Sequence, residues 1–138
     1  MDWSNCFIDA NVFIRHLAQD NKLHADLATK VFDDLAEGKR SAKINTLLLH
    51  EVIYVLEKVY GFPRSKIANA IRKLLELVTL EVVDLDKQSV FNALEDYTEH
   101  TSIDFPDCIY RQITLNENLK IITFDQHFKK FGIQPFTG

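Results

Sequence analysis

Short apolar runs alternate along the chain with longer segments in which apolar residues recur every three or four positions. The short runs predict buried β-strands, and the longer segments predict amphipathic helices. The predicted strands cover residues 7–8, 42–45, 80–83 and 120–123. The predicted helices cover residues 23–37, 46–60, 65–78, 87–99, a segment opened by Asp104 and Pro106, and a short turn over 126–131. This alternation predicts an α/β fold, a three-layer α/β/α sandwich with a central parallel sheet.

The length and composition favour one domain. The chain has 138 residues, of which 46% are hydrophobic and 26% are charged, which is enough for one compact domain with its own core. We therefore expect a single domain over residues 1–138. No apolar run approaches the roughly 18–20 residues that span a bilayer, and the N-terminus lacks the basic start of a signal peptide. The sequence thus predicts a cytoplasmic protein with no membrane partner.

The charge balance limits how the protein can bind nucleic acid. A formal net charge of -4 and a pI near 5.7 argue against binding through a broad basic surface. They remain compatible with an enzyme that reaches nucleic acid through bound divalent cations, because a bound metal reverses the local charge of a carboxylate cluster.

Acidic residues occur where a parallel α/β sheet places its ligands, beyond the carboxyl ends of the strands. Asp9 follows the first predicted strand and Asp125 follows the last. Asp104 and Asp107 lie three residues apart at a helix start and so share one face. Glu51 is an acid within a helix that is apolar nearly all round, which predicts a buried carboxylate that requires a partner.

Each of these acids also has a structural explanation. Asp9, Asp104 and Asp125 occupy positions where aspartate commonly caps a helix or a turn. Asp107 lies in the reciprocal position of a capping box. Glu51 could pair with a basic residue, although nearly all basic residues of this chain lie on polar faces or in turns. The acids interpreted as solvated helix faces or helix starts are Asp33, Asp34, Asp84, Asp86, Glu95 and Asp96.

The combination of acids favours metal-assisted hydrolysis. Carboxylates brought to one edge of a sheet repel one another unless a cation binds among them. Oxygen ligands without clustered His or Cys suit Mg²⁺ or Mn²⁺ better than zinc. The five histidines show no motif spacing and are interpreted mostly as surface residues. The chain has no glycine-rich phosphate loop and no recognisable nucleophile motif.

Four segments carry a family resemblance: FIDANVFIRHL, LLLHEVIYVLEKVYGFPRSKIANAIRKLL, SIDFPDCIYRQ and IITFDQHFKKFG. In order and spacing they resemble the PIN-domain nucleases, most closely the VapC-type toxins of toxin-antitoxin pairs. The similarity extends over nearly the whole chain and implies a PIN-like fold. The four acidic positions of that family correspond here to Asp9, Glu51, Asp107 and Asp125. Asn11 matches the polar residue that commonly follows the first aspartate by two places.

The resemblance implies a metal-dependent endoribonuclease that uses Mg²⁺ or Mn²⁺, the toxin of a type II pair. The residues implied to hold the metal and to act in catalysis are Asp9, Glu51, Asp107 and Asp125. Those expected to contact the substrate or to support the ligands are Asn11, Asp104 and Thr123. The family usually has small residues beside the third acid, whereas this chain has Pro106-Asp107-Cys108, so the role of Asp104 as ligand or helix cap stays open. The implied partners are the RNA substrate, a second copy in a homodimer, and an antitoxin protein.

Other classes fit the sequence less well. A haloacid-dehalogenase-like phosphatase needs a second carboxyl two residues after the first, where this chain has Asn11, which supplies no proton. A receiver domain is disfavoured by Glu51 in an apolar helix and by the lack of a lysine after a late strand. The alternative that stays open is a PIN-like domain that binds RNA or protein without significant hydrolysis.

Overall fold

The computed structural model describes residues 2–138. Within them the sheet consists of β1 (Asn5–Phe7), β2 (Ser41–Ile44) and β3 (Leu80–Val82). All strands are parallel, in the order β1-β2-β3, with Asn5 opposite Ser41 and Ala42 opposite Leu80. The α-helices are α1 (Ala10–Ala18), α2 (Lys22–Ala36), α3 (Thr46–Tyr54), α4 (Arg64–Leu75), α5 (Lys87–Glu99) and α6 (Phe105–Asn116). The predicted α/β fold with a central parallel sheet is confirmed.

The chain divides into two compact units, Met1–Lys87 and Gln88–Gly138. Unit 1 contains the sheet, α1 to α4 and a π-helical segment, Val55–Val59, that continues α3. Unit 2 contains α5 from its second residue onwards, α6 and a 3₁₀ helix over Gln126–Phe131. Each unit is described by itself below. Across residues 2–138, no helix combines the length and the apolar character needed to cross a bilayer.

The strands of unit 1 alternate between buried and exposed side chains. In β2, Ala42 and Ile44 are buried while Ser41 and Lys43 are exposed. In β3 the two apolar ends are buried and the central Glu81 is exposed. One face of the sheet therefore contributes to the core of unit 1, because side chains on a strand point alternately to its two faces.

The first helix, α1, was not among the sequence predictions. Its buried residues Ala10, Phe13 and Ile14 have the i, i+3, i+4 spacing of a helix face. Phe13 packs edge-to-face on Phe32 of α2, with ring centroids 5.0 Å apart. The apolar spacing of this helix is present in the sequence, but the helix is short and follows β1 after only two residues. The apolar residues of the strand and of the helix therefore read as one run.

The N-cap residue of α3 differs from the one that the residue types suggest, which is Thr46. The N-cap is Asn45, whose Oδ1 accepts a hydrogen bond from the amide of Leu48 (2.9 Å). Thr46 is the first helical residue, and its amide (3.0 Å) and hydroxyl (2.6 Å) both donate to the carboxylate of Asp84. Asp84, interpreted from the sequence as solvated, thus ties the N-terminus of α3 to the chain after β3.

Two other acids set aside as solvated are buried. Asp34 accepts hydrogen bonds from Lys30 and, at 2.9 Å, from Arg40. The Lys30 bond first, and then the Arg40 bond, hold the pKa of Asp34 below its ordinary value. Asp96 in unit 2 is also buried and is bound by Arg111. Both acids are stabilised by cations, which explains their burial.

In unit 2 the predicted strand over residues 120–123 is wrong. This segment has no strand assignment in the described chain, although the Phe136 amide donates to the Thr123 carbonyl at 2.7 Å. A single backbone hydrogen bond does not make a ladder. The run Lys120-Ile121-Ile122-Thr123 has the composition of a strand, but the Ile122 side chain is exposed. Burial of this side chain therefore does not stabilise an extended, paired conformation.

Candidate active site

Asp9 lies at the carboxyl end of β1, where the sequence predicts it. It is the N-cap residue of α1, yet its side chain makes no capping hydrogen bond; the helix starts through the bond from the Val12 amide to the Asp9 carbonyl (3.1 Å). The side chain is exposed. Asp9 therefore occupies the capping position of α1, but its carboxylate does not cap the helix.

Glu51 is exposed, so the prediction that it is a buried carboxylate is wrong. Helix α3 buries Leu48, Leu49, Val52 and Ile53, and it leaves Leu47 and Tyr54 exposed on the stripe that includes Glu51. Helix α3 therefore has apolar residues on nearly every face, but one of these faces is exposed to solvent. The exposed carboxylate needs no buried cationic partner and is accessible to solvent ions.

Asp107 is the centre of an acidic group in unit 2. It lies in the first turn of α6 and is half-buried. Burial raises the pKa of Asp107, and the nearby carboxylates of Asp125 and Asp104 raise it further, while His127 opposes the shift. The structure thus brings together three of the predicted acids of unit 2 in an arrangement that disfavours the ionised form of Asp107.

Asp104 and Asp125 frame this group. Asp104 is the N-cap residue of α6, but its side chain makes no capping hydrogen bond. Asp125 is the N-cap of the 3₁₀ helix and accepts a hydrogen bond at Oδ1 from the amide of His127 (2.8 Å), which confirms its predicted capping role. The Nδ1 atom of His127 lies 3.2 Å from the same oxygen.

His127 is a residue of this group that the sequence analysis missed. It was grouped with histidines that lack motif spacing, and the only signal available was its position two residues after Asp125. When protonated, its imidazolium offsets part of the negative charge around Asp107 and Asp125.

The two predicted polar residues have different surroundings. The Thr123 hydroxyl oxygen accepts a hydrogen bond from the Asp125 amide (3.0 Å), so this side chain shapes the loop that presents Asp125. Asn11 is exposed in the first turn of α1 and lines an open depression with Val12 and Arg15. Thr123 therefore has a local structural role, whereas the Asn11 amide is accessible.

A second group of possible ligands lies in unit 2, where atoms of Asp96, Glu99 and His100 come within 4.8 Å of one another. Both oxygens of Asp96 already accept hydrogen bonds from Arg111, at 3.0 and 2.9 Å. The Arg111 guanidinium thus already neutralises Asp96, which reduces the electrostatic gain from a cation there. The charged groups that shift the pKa of Asp107 are Asp125, Asp104 and His127, so the charge acting on this carboxyl is mainly negative, which favours a cation beside it.

The donor chemistry supports the same assignment. Carboxylate oxygens are the ligands that Mg²⁺ and Mn²⁺ prefer. Carboxylates that raise one another's pKa are stabilised when a cation binds among them. Among the described residues, the group of three whose possible ligand atoms all lie within 4.8 Å of one another is Asp96, Glu99 and His100, so Asp104, Asp107 and Asp125 are not drawn together that closely. They are nevertheless carboxylates of the type that a hard divalent ion prefers, and Asp125 and Asp104 raise the pKa of Asp107.

The parallel sheet and this group of carboxylates define the class of the protein: an α/β fold with oxygen donors suited to a divalent metal. The profile of the PIN domain family matches residues 6–134, and the chain belongs to that family. No curated protein gives a significant match to the chain. The PIN domain is a nuclease-type fold whose members are usually metal-dependent nucleases that act on RNA, and they often pair with antitoxins.

Proposed function

We propose that this protein is a metal-dependent endoribonuclease that hydrolyses RNA phosphodiester bonds and acts as the toxin of a type II toxin-antitoxin pair. The observation that carries the proposal is the match of residues 6–134 to the PIN domain family, together with the position of Asp107 in the first turn of α6, where the charges of Asp125 and Asp104 act on it. Membership of a nuclease-type family supports the reaction class. We further propose a homodimer located in the cytoplasm.

The metal ligands in this proposal are Asp9, Glu51, Asp107 and Asp125. Their family correspondence supports the assignment, as do the exposure of Asp9 and Glu51 and the electrostatics of Asp107. Bound Mg²⁺ or Mn²⁺ would polarise the scissile phosphate and lower the pKa of an attacking water.

The other predicted residues support this chemistry without a covalent step. Asn11 donates a hydrogen bond to a phosphate oxygen through its exposed amide. Thr123 holds the Asp125 loop, and Asp104 adjusts the charge at Asp107 or takes a ligand position itself. His127 orients Asp125 through its backbone amide. No side-chain nucleophile is required, since the attacking group is water.

The decisive test is cleavage of a panel of single-stranded and structured RNAs with Mg²⁺ or Mn²⁺, with EDTA, and with the variant Asp9→Asn. We expect metal-dependent cuts that disappear in EDTA and in Asp9→Asn. The matched control is Asp26→Asn, an exposed aspartate of α2 that forms a surface ion pair with Lys22, and it should cleave like the wild type. Full activity of Asp9→Asn would remove Asp9 from the mechanism.

The alternative function is a PIN-like domain that binds RNA or a protein partner without significant hydrolysis. A folded wild-type protein that binds RNA but cuts none of the panel with either metal would favour it. The toxin assignment has its own test, because expression of the active protein should arrest growth while expression of Asp9→Asn should not.

A further inference from the structure

The exposed side of β1 presents two aromatic rings on the approach to Asp9. Trp3 is 60% exposed and Phe7 is 58% exposed, whereas Ile8 is buried. Phe7 and Asp9 lie two residues apart on extended backbone, so their side chains project to the same side at a separation of roughly 7 Å along the chain. Two exposed rings that line one depression form a contiguous apolar surface, which marks a binding site more often than a single exposed ring does.

These rings line an open depression of about 440 Å³ in unit 1. Its wall includes Trp3, Phe7, Asp9, Leu27, Lys30 and Arg40. The depression is thus continuous with a proposed metal ligand, and it has an apolar floor with cationic groups at its rim.

The rim carries a net positive charge apart from Asp9. Lys30 and Arg40 share the single carboxylate of Asp34, so two cations face one anion. Arg40 also donates to the Trp3 carbonyl at 2.6 Å, which fixes the backbone that presents the indole ring. Lys30 is two-thirds exposed, which leaves its ammonium accessible to a second anionic group such as a phosphate.

We propose that Trp3 and Phe7 stack on unpaired bases of an RNA strand that passes beside Asp9, with Lys30 contacting the RNA backbone. This inference rests on the proposed function and deepens it, since it names the side chains of this chain that bind the bases. Aromatic rings beside cationic groups bind single strands because every base has a face that stacks. Bases within an A-form duplex are already stacked and do not reach such rings.

The chain offers a direct probe, because Trp3 is its only tryptophan. The metal-free wild-type protein in EDTA is titrated with an unstructured single-stranded RNA oligonucleotide and, in parallel, with the same strand in a duplex. Binding is followed independently by the anisotropy of a labelled RNA. We expect the single strand to quench and shift Trp3 fluorescence, and the duplex to leave it nearly unchanged.

The variant Phe7→Ala tests the second ring. Losing one stacked base should raise KM for a single-stranded substrate by roughly 5- to 150-fold with kcat nearly unchanged. Phe7→Tyr should restore most of the affinity, because the ring is retained. The matched control is Phe136→Ala, which removes an exposed aromatic ring of unit 2. Circular dichroism confirms that each variant is folded.

Three results would overturn the inference. The first is unchanged Trp3 fluorescence when anisotropy shows saturated RNA binding, and the second is equal quenching by the duplex. The third is a Phe7→Ala variant that loses self-association but binds RNA normally, which would make this face a contact between copies. If Phe7→Ala cleaves with the wild-type KM, the stacking inference fails and the ribonuclease stands. Quenching by single strands without any metal-dependent cleavage would retain stacking and refute the ribonuclease.

Discussion

Helices α5 and α6 each carry a carboxylate withdrawn from solvent, and the two have opposite electrostatic surroundings. Asp96 in α5 is buried, and both of its oxygens accept hydrogen bonds from Arg111. Asp107 in α6 is half-buried beside other carboxylates, and its pKa is raised by burial and then by Asp125 and Asp104. Arg111 neutralises Asp96, whereas the charges that raise the pKa of Asp107 are carboxylates, which His127 opposes.

This difference distinguishes an acid that is paired within the fold from an acid whose ionised form is disfavoured by its surroundings. Removing Asp96 leaves a guanidinium without its partner, which is destabilising. Removing a carboxylate from the group around Asp107 relieves repulsion, so the fold should tolerate it. In the proposed function, a divalent cation would supply counter-charge to Asp107.

The strongest contrast is expected in catalysis. Asp107→Asn should lower the rate of metal-dependent RNA cleavage by more than the roughly 10- to 100-fold typical of residues that only orient a metal ligand. Asp96→Asn should keep the wild-type rate per folded molecule. Initial rates normalised to the folded fraction measure both. If folded Asp107→Asn and folded Asp96→Asn lost activity equally, the proposed difference between the roles of Asp107 and Asp96 would be wrong.

Metal binding should follow the same division. Mn²⁺ at about 100 times its Kd should stabilise the wild-type protein by roughly 2.7 kcal/mol, because it binds only the native state. Thermal unfolding with and without Mn²⁺ should show a rise in Tm that is much smaller in Asp107→Asn and is kept in Asp96→Asn. Loss of the rise in Asp96→Asn alone would instead assign the ion to Asp96, Glu99 and His100.

For stability, we expect the substitution of Asp96 to have a larger effect than the substitution of Asp107. Asp96→Ala leaves the half-buried Arg111 without its carboxylate, and we expect the free energy of unfolding to fall by about 1–3 kcal/mol. Urea denaturation measures this change. The control Asp26→Ala removes an exposed ion pair on α2 and should change stability by less than about 1 kcal/mol. An Asp96→Ala variant as stable as this control would show that the Arg111 pair is not stabilising.

The smallest expected effect is the pH dependence due to His16, which lies in unit 1. Burial lowers the pKa of His16, against the opposing charge of Asp33; its Nδ1 lies 2.9 Å from the Thr29 hydroxyl, and its ring packs on Phe32. The unfolded chain therefore takes up a proton at a higher pH than the folded protein does. The contribution of His16 to the free energy of unfolding is therefore complete above the ordinary pKa of about 6.5. It is lost as the pH falls through that value toward the lower pKa of the folded protein.

The variant His16→Gln should flatten this part of the stability profile between about pH 7.5 and 5. Urea unfolding at a series of pH values tests it, with the exposed His24→Gln as the matched control. A wild-type profile that the His16 substitution leaves unchanged would contradict the assignment.

Elements with strong local signals were predictable from the sequence. The helix Lys87–Glu99 and the turn Gln126–Phe131 were predicted with the bounds that the structure gives them. The N-cap positions of Asp104 and Asp125 were predicted as well, since aspartate at a helix start is a local preference. The placement of Asp9 after a strand followed from the alternation of strands and helices.

Elements whose state depends on distant partners were less predictable. The run at residues 120–123 has strand composition but no ladder, because strand formation depends on what pairs and packs with the segment. Helix α1 was missed beside a strand whose apolar residues merge with its own. Asp34 and Asp96 looked solvated because the arginines that bind them lie 6 and 15 residues away along the chain.

The fold class, the family and the identity of the candidate acids follow from residue order, because periodicity and motif order are properties of the chain itself. Which of these acids are neutralised depends on the three-dimensional arrangement. This arrangement placed Arg111 on Asp96, grouped Asp125 and Asp104 around Asp107, and left Glu51 exposed on an apolar helix. The physical reason is that burial and Coulomb interactions depend on distance in space, which residue order does not specify.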